Sequence, residues 1–424
     1  MKTLLHLFLI TALIAVSQFA SASELQDKVE SLTQEIMPKV IEWRRDFHAH
    51  PELSNREERT GRVVAEHLRE MGIENLQTGV AHHGVVALIE GGKPGPVVAL
   101  RADMDALPVT EETGLPFASQ NEGVMHACGH DAHTAMLLGA AYVLQNLKDE
   151  IPGTVKLIFQ PAEEGPPAGE EGGAKMMTKL GVLDNPKVEA IFGQHISTIL
   201  DAGTIGYTPE GTMAAVDQLK ITITGKQTHA AYPWEGIDPV VTAAHIITAA
   251  QTLVSRNLDI RKTAVLSLGK INGGTRWNII PDDVTIEGTI RTHDTDVRKM
   301  MLENLKRVIT NTAESFGATA QLEVVDYGPV TYNNPKLVEK MLPTLKKVAG
   351  EAKVSLEKPS MGGEDFAYFA EKVPGFYFHL GVRNEETGAV NMVHTPKMII
   401  DESALPLGVK AITMMALDYL SNEN

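Results

Sequence analysis

The stretch MHACGHDAH, residues 125–133, places three histidines, a carboxylate and the only cysteine of the chain within nine positions. Cys128 and His130 are two residues apart, so both can reach one centre from a loop but not from one face of a helix. The following residues, 134–147, are rich in alanine and leucine, which predicts a helix that begins at Asp131 or soon after. The stretch therefore predicts a metal site in the loop entering a helix. The alternative is that the cysteine and histidines are packing residues.

Outside the middle of the chain, apolar strands alternate with helices. The predicted helices are residues 24–48, 61–72 and 336–347, and the predicted strands are residues 85–89, 97–101, 155–159, 190–192 and 376–382. Near-continuous apolar strands separated by helices indicate an α/β domain with a mainly parallel sheet that is covered on both faces. Ligands of such sheets bind beyond the carboxyl ends of the strands.

The middle of the chain has a different pattern. Strands are predicted at residues 216–224, 264–271, 284–292 and 321–325, with helices at residues 238–254 and 294–316. The order strand, helix, strand, strand, helix, strand is that of a ferredoxin-like α+β domain. The predicted division is therefore a leader over residues 1–22, an α/β domain in two parts, 23–212 and 331–424, and an inserted domain over 213–330.

The leader has the features of a cleavable secretory signal. Lys2 precedes an apolar run, and the small residues Ala20, Ser21 and Ala22 follow it, so cleavage is predicted after Ala22. The alternative is a transmembrane anchor, but the apolar run is shorter than the roughly 20 residues that cross a bilayer. The sequence thus predicts a periplasmic or secreted protein that has no membrane attachment after cleavage.

Composition narrows the range of functions. The chain has 424 residues, of which 43% are hydrophobic and 22% charged, and its formal net charge is −16 at pH 7. This composition is typical of a soluble globular protein, and the negative charge argues against nucleic acid and anionic membranes as partners. One cysteine cannot form an internal disulfide. A bound metal, which holds the thiol as thiolate, explains its presence in an exported protein.

Further metal-type ligands follow predicted strands. Glu163 and Glu164 come after the strand at residues 155–159, His195 follows the strand at 190–192, and His394 lies near the end of the chain. Adjacent carboxylates point in different directions, so one can bind a metal while the other accepts a proton from water. Taken singly, each of these residues is more typical of a solvated loop or a structural histidine. Together with Cys128 and His130, the residues Glu164, His195 and His394 complete five ligands, enough for two metal ions that share a bridging group.

Six segments resemble one family in their order and spacing. They are RADMDALP (101–108), MHACGHDAH (125–133), QPAEEG (160–165), GKQTHAAYP (225–233), NIIPDDVTIEGTIRT (278–292) and GGEDF (362–366). They are similar to the amidohydrolase branch of the aminoacylase and carboxypeptidase G metallopeptidase family. This branch includes hippurate hydrolases, N-acyl-amino-acid amidohydrolases and plant auxin-conjugate hydrolases. The resemblance covers nearly all of the chain that follows the leader.

The resemblance implies a role for each matching residue. Cys128 corresponds to a bridging thiolate, with Glu164 and His394 on one metal and His130 and His195 on the other. Glu163 corresponds to the general base. The inserted domain corresponds to a lid and dimerisation domain, in which His229 crosses to the active site of a partner subunit and stabilises an oxyanion. Asn278 and Arg291 correspond to lid residues that hold the carboxylate of the substrate.

These observations predict a dinuclear amidohydrolase that cleaves N-acyl amino acids and forms a homodimer. The ligand set accepts zinc, manganese, cobalt or nickel. Two alternatives remain open, a dipeptidase or carboxypeptidase of the same family and a non-catalytic exported solute-binding protein. Asp103 and Asp105 either orient ligand histidines or cap a turn at the end of a strand. His126 and His133 are interpreted as packing or supporting residues rather than ligands.

Overall fold

The computed structural model describes residues 2–421, with side chains from residue 24 onward. The predicted signal, residues 1–22, lies outside the residues whose side chains are described. The α-helices of the protein are α1 Lys2–Ala49, α2 Glu58–Glu70, α3 His130–Asn146, α4 Gly173–Lys179, α5 Pro239–Thr252, α6 Thr295–Ser315, α7 Pro335–Ala349, α8 Ala367–Ala370 and α9 Leu405–Ser421. Within the part of the chain that the structure describes, no helix is long and apolar enough to cross a bilayer.

The strands lie within the inserted segment and in the parts of the chain on both sides of it. They are β1 Leu76–Val80, β2 Gly84–Glu90, β3 Lys93–Asp103, β4 Pro152–Gln160, β5 Ala190–Asp201, β6 Ile205–Tyr207, β7 Glu210–Met213, β8 Ala215–Thr224, β9 Thr228–His229, β10 Ala264–Gly273, β11 Ile279–Ile280, β12 Asp283–Thr292, β13 Thr319–Gly328, β14 Thr331–Asn333, β15 Val354–Leu356 and β16 Gly375–Arg383.

The chain divides into two compact units. The large unit comprises the chain up to Tyr207, Asn334–Glu357 and the chain from Lys372 onward, and the small unit comprises Thr208–Asn333 and Lys358–Glu371. The small unit thus includes a second segment, Lys358–Glu371, which lies in the last part of the α/β domain in the sequence-based division.

The large unit is built on a mixed sheet of eight strands in the order β1-β2-β4-β3-β5-β16-β6-β15. Its four central strands, β4, β3, β5 and β16, are parallel to one another, whereas β2 and β6 flank them in antiparallel pairing. This confirms the predicted α/β class with a mostly parallel sheet. Because β3, β4 and β5 are parallel neighbours, the segments that follow them meet at one edge of the sheet.

Helix α3 is buried along almost its whole surface and packs against α1, α9 and β3. It begins at His130, one residue earlier than predicted, after Gly129 in a left-handed conformation with φ +90°. A Cβ atom at position 129 would lie 2.5 Å from Cγ1 of Ile196. Glycine is therefore required here both for its backbone conformation and for the close approach of β5.

The small unit has a four-stranded antiparallel sheet in the order β10-β12-β8-β13. Buried side chains alternate along β8, and Leu219, Ile221 and Ile223 pack with residues of α5 and α6 such as Ile246 and Leu305. The chain order β8, α5, β10, β12, α6, β13 with this strand order is ferredoxin-like, as predicted.

Candidate metal centre

Five predicted metal ligands lie together in the large unit, beyond the carboxyl ends of β3 and β4 and beside β5. Cys128 precedes α3, and His130 is the first residue of that helix. Glu164 follows β4, whereas His195 lies inside β5, which continues to Asp201 instead of ending before the histidine as predicted. His394 reaches the cluster because its backbone N–H donates to the carbonyl oxygen of Ala127 at 2.7 Å.

The five side chains form two groups that share one sulfur. Cys128, His130 and His195 offer ligand atoms within 4.8 Å of one another, and so do Cys128, Glu164 and His394. The Cys128 sulfur lies 3.4 Å from Nε2 of His195 and 3.3 Å from Nε2 of His394, which in turn is 3.4 Å from Oε1 of Glu164. Ligands at roughly 2.0–2.3 Å from a tetrahedral cation are about 3.3–3.8 Å apart. The donor atoms therefore fit two cations that share the thiolate.

Hydrogen bonds leave the correct ring nitrogens for metal binding. Nδ1–H of His130 donates to the carbonyl oxygen of Asp105 at 2.9 Å, and Nδ1–H of His195 donates to the carbonyl oxygen of Ile196 at 2.6 Å. Nε2 of His130 is buried and has no hydrogen-bond partner among the described residues, and buried Oε1 of Glu164 has only the 3.4 Å contact with Nε2 of His394. Since unpaired buried polar atoms are costly, a cation at these atoms accounts for the arrangement.

Two buried acidic side chains hold the loop that carries the glutamate pair. Backbone N–H groups of Glu163 and Glu164 donate to Oδ1 and Oδ2 of Asp105 at 3.1 and 3.0 Å, and that of Ala162 donates to Oε1 of Glu57 at 2.8 Å. Ala162 has a left-handed conformation with φ +54°. Hydrogen bonds thus fix the three consecutive backbone amides of residues 162–164, and this sets the direction of the Glu163 and Glu164 side chains. Oε2 of Glu163 lies 3.8 Å from Nε2 of His130.

Glu57 did not stand out in the sequence. It lies in the charged run NREER, residues 55–59, which is typical of a solvated loop, yet its side chain is fully buried. Burial, together with the nearby charge of Asp105, raises its pKa to about 8. Only its contact with Ala162, 105 residues away, identifies it as part of the site.

The cluster binds protons strongly in the absence of a cation. Burial raises the pKa of the Cys128 thiol, and hydrogen bonds with Cys128 and Glu164 raise the pKa of His394 to about 10. Burial opposes ionisation of the Asp105 carboxyl group, but the hydrogen bond from His130 holds the pKa of that group below its ordinary value. A metal must displace the protons of Cys128 and His394, so metal affinity is expected to rise with pH.

The remaining predicted site residues lie in the small unit. His229 is exposed on β9, whose pairing with β11 places it opposite Ile279. The N–H of Ala230 donates to the carbonyl oxygen of Asn278 at 3.1 Å, so His229 and Asn278 lie close together. Arg291 is half-buried on β12, where its Nε donates to Oγ1 of Thr289 at 3.2 Å. Their predicted roles in catalysis and substrate binding stay predictions.

A mainly parallel α/β sheet that carries thiolate, imidazole and carboxylate donors beside a second glutamate defines the class of metal-dependent hydrolases. Comparison with known proteins gives the family. Residues 99–418 match the model of peptidase family M20/M25/M40, and the chain belongs to this family. The resemblance inferred from the six sequence segments is thereby confirmed.

Related proteins are named for different activities. Thermostable carboxypeptidase 1 of Saccharolobus solfataricus is 41% identical over 398 residues, which cover 93% of this chain and 99% of that protein. N-acetylcysteine deacetylase of Bacillus subtilis is 40% identical over 388 residues, 90% of this chain and 97% of that protein. A B. subtilis crystal structure described as a dinuclear metal binding peptidase of the M20 family is 37% identical, with a TM-score of 0.79, and the match covers 92% of this chain and 99% of that chain.

Proposed function

We propose that the protein is a dinuclear metal-dependent amidohydrolase that cleaves the amide bond of N-acyl amino acids to a carboxylate and a free amino acid. The position of Glu163 is the main support for this proposal. Glu163 lies beside two donor groups that share Cys128, on the loop that also supplies Glu164 to one of them. Such an arrangement separates the residue that moves protons from the residues that bind metal.

The residues of the large unit suit hydrolysis of an amide. When bound, two divalent ions supply Lewis acidity that lowers the pKa of water towards 7 and polarises the acyl carbonyl group. Glu163 accepts a proton from the attacking water as its oxygen bonds to the acyl carbon. Glu163 then delivers this proton to the amide nitrogen as the C–N bond breaks, so the products are a carboxylic acid and an amine, and the acid loses its proton to become a carboxylate. His229 is proposed to stabilise the oxyanion that forms in between.

The acyl amino acid as substrate is supported by the deacetylase relative and by the lid residues. N-acetylcysteine deacetylase is 40% identical over most of both chains. A guanidinium group such as that of Arg291, with Asn278, suits a carboxylate ligand. The carboxypeptidase at 41% identity supports a second candidate function, hydrolysis of peptides by the same centre. A panel of N-acetyl amino acids, N-benzoyl amino acids and dipeptides with a free amino group separates the two.

Glu163→Gln tests the mechanism. The variant keeps the size of the side chain and removes its ability to accept a proton, so kcat is expected to fall by about 10²–10⁴-fold. Elemental analysis is expected to find two metal ions per chain in the variant, as in the wild type. Wild-type turnover in a variant that holds both metals would exclude Glu163 as the general base. The same analysis identifies the native metal among zinc, manganese, cobalt and nickel.

The proposed active form is a homodimer joined through the small unit. Strand β10 forms an edge of the small sheet, and within residues 2–421 it pairs only with β12, so its outer edge is open to a strand of a second copy. His229 is exposed, which suits a residue that serves a partner subunit. Mixing His229→Ala with Glu163→Gln dimers is expected to restore activity, because a hybrid has one complete site. No recovery in confirmed hybrids would exclude action across the dimer.

Export is part of the proposal. A lysine, an apolar run and the small residues that end at Ala22 support a cleaved signal. Amino-terminal sequencing of the protein from its native host is expected to begin at Ser23, whereas retention of Met1 would contradict cleavage.

A further inference from the structure

Ile196 links the ligand His195 to two buried side chains that bind no metal. Its carbonyl oxygen accepts Nδ1–H of His195 at 2.6 Å, and its backbone N–H donates to Nε2 of His133 at 2.9 Å. Nδ1–H of His133 in turn donates to Oδ1 of Asp103 at 2.6 Å. Asp103 and His133 are almost fully buried, so water does not compete for these bonds.

The direction of every hydrogen bond in this chain is determined. A backbone N–H can only donate, so Nε2 of His133 carries a lone pair and its proton is on Nδ1. An ionised Asp103 can only accept, and it receives that proton's hydrogen bond. The guanidinium group of Arg101 donates to the other oxygen of Asp103 at 2.8 Å and supplies the opposite charge. With both ring nitrogens engaged, His133 is not a metal ligand, although Asp103, His130 and His133 lie close enough to resemble a third donor group.

These hydrogen bonds also determine the orientation of the His195 ring. Because both polar backbone groups of Ile196 are held, its carbonyl oxygen has a fixed position, and this position fixes the ring orientation and the proton of His195 on Nδ1. Nε2 is left as a lone pair that faces the Cys128 sulfur at 3.4 Å. The His133 ring also packs edge-on against the His195 ring, with centroids 4.6 Å apart, and so limits its rotation.

We propose that Asp103 and His133 are positioning residues that act through Ile196 to hold His195 ready for the metal it shares with His130 and Cys128. This inference rests on the proposed dinuclear function and deepens it. Removal of an outer hydrogen-bonding partner typically lowers metal affinity about 10–100-fold. The loss is expected for the ion that His195 binds, and the ion held by Glu164 and His394 keeps its affinity.

A matched pair of substitutions at position 133 tests the proposal. In His133→Gln, the side-chain oxygen reaches the place of Nε2 and can accept from Ile196 N–H. His133→Asn is shorter, so it can donate to Asp103 but cannot reach Ile196. Metal-free protein is titrated with Co²⁺, and each equivalent is followed by the absorption of its thiolate and d–d bands. His195→Ala identifies the equivalent that depends on His195, and circular dichroism checks the fold.

The expected result is a difference between the two variants. His133→Asn should weaken the His195-dependent equivalent about 10–100-fold, whereas His133→Gln should stay within a few-fold of wild type. Asp103→Asn should resemble His133→Asn, because an amide can donate to Nδ1 and so permit the wrong tautomer. Equal affinity in all variants, or equal loss in the Gln and Asn variants, would overturn the positioning role. A wild type that binds fewer than two equivalents would instead overturn the dinuclear function and this inference with it.

Discussion

The predicted metal ligands of the large unit and the predicted lid residues of the small unit are held in different ways. Four of the five ligands are buried or half-buried, and backbone carbonyls or carboxylates fix the His130 and His195 rings and the Glu164 backbone. His229, in contrast, lies exposed on a pair of two-residue strands. The fold therefore holds most of the predicted metal ligands in place without a ligand present, whereas the side chain of His229 is not held in this way. Substitution of a predicted metal ligand should therefore weaken metal binding, whereas substitution of His229 or Asn278 in the small unit should change turnover or substrate binding and leave the metals in place.

The largest effect is expected for Cys128→Ser. The sulfur belongs to both donor groups, so its loss should weaken both metals by more than the roughly 10–100-fold that an outer hydrogen-bonding partner is worth. Metal content after dialysis should fall from two ions per chain to fewer than one, and activity should fall with it. His394→Ala is the matched control and should lose one ion. Retention of two ions in Cys128→Ser would show that the thiolate does not bridge.

His229→Ala should reduce turnover without affecting the metal centre. Loss of one oxyanion donor typically lowers kcat about 10²–10³-fold. Because the side chain is exposed, metal content and melting temperature should not change. His245→Ala, an exposed histidine of the same unit that stacks on Phe316, should leave kcat unchanged. A loss of metal in His229→Ala would contradict the separation between the two regions.

Glu57→Gln should change how stability depends on pH. The folded pKa of about 8 lies above the ordinary value, so folding favours the protonated form. That contribution is complete below about pH 4.5 and is lost as the pH rises towards 8. Glutamine resembles the neutral acid, so the stability advantage of the variant over the wild type should grow by about 4 kcal/mol between pH 5 and pH 9. Urea unfolding at both pH values measures the difference, and a constant difference would contradict a buried protonated Glu57.

Asn278→Ala should have the smallest effect. One lost hydrogen bond to the substrate carboxylate is worth about 1 kcal/mol, so KM should rise roughly five- to tenfold. Metal content and kcat should stay close to wild type, which steady-state kinetics and elemental analysis can show. A large fall in kcat with unchanged KM would place Asn278 with His229 among the residues that act on the transition state.

The sequence predicted the fold where local patterns are strong. The apolar strands β3 and β4 and the ferredoxin-like order of the small unit were evident, because strand alternation and continuous apolar runs are local properties. Short strands such as β6 and β15 were not predicted, since three residues carry little periodicity. Helix α9 was also missed, because it is buried on nearly all sides and lacks an amphipathic pattern.

The residues predicted to bind metal are more evident in the sequence than the residues that hold them in place. Cys128, His130 and Glu164 stand in unusual local contexts, and the structure brings them together with His195 and His394. The contacts of Glu57 with Ala162 and of His133 with Ile196 join positions far apart in the chain. No spacing rule shows such pairs, because they depend on which strands become neighbours.

The Cys128 thiolate is proposed to bridge two metal ions. Crystals of the metal-loaded protein, with diffraction recorded at the absorption edge of the bound metal, test it directly. Two anomalous peaks are expected, each about 2.3 Å from the Cys128 sulfur, one beside His130 and His195 and the other beside Glu164 and His394. A single peak, or two peaks of which only one contacts the sulfur, would contradict it.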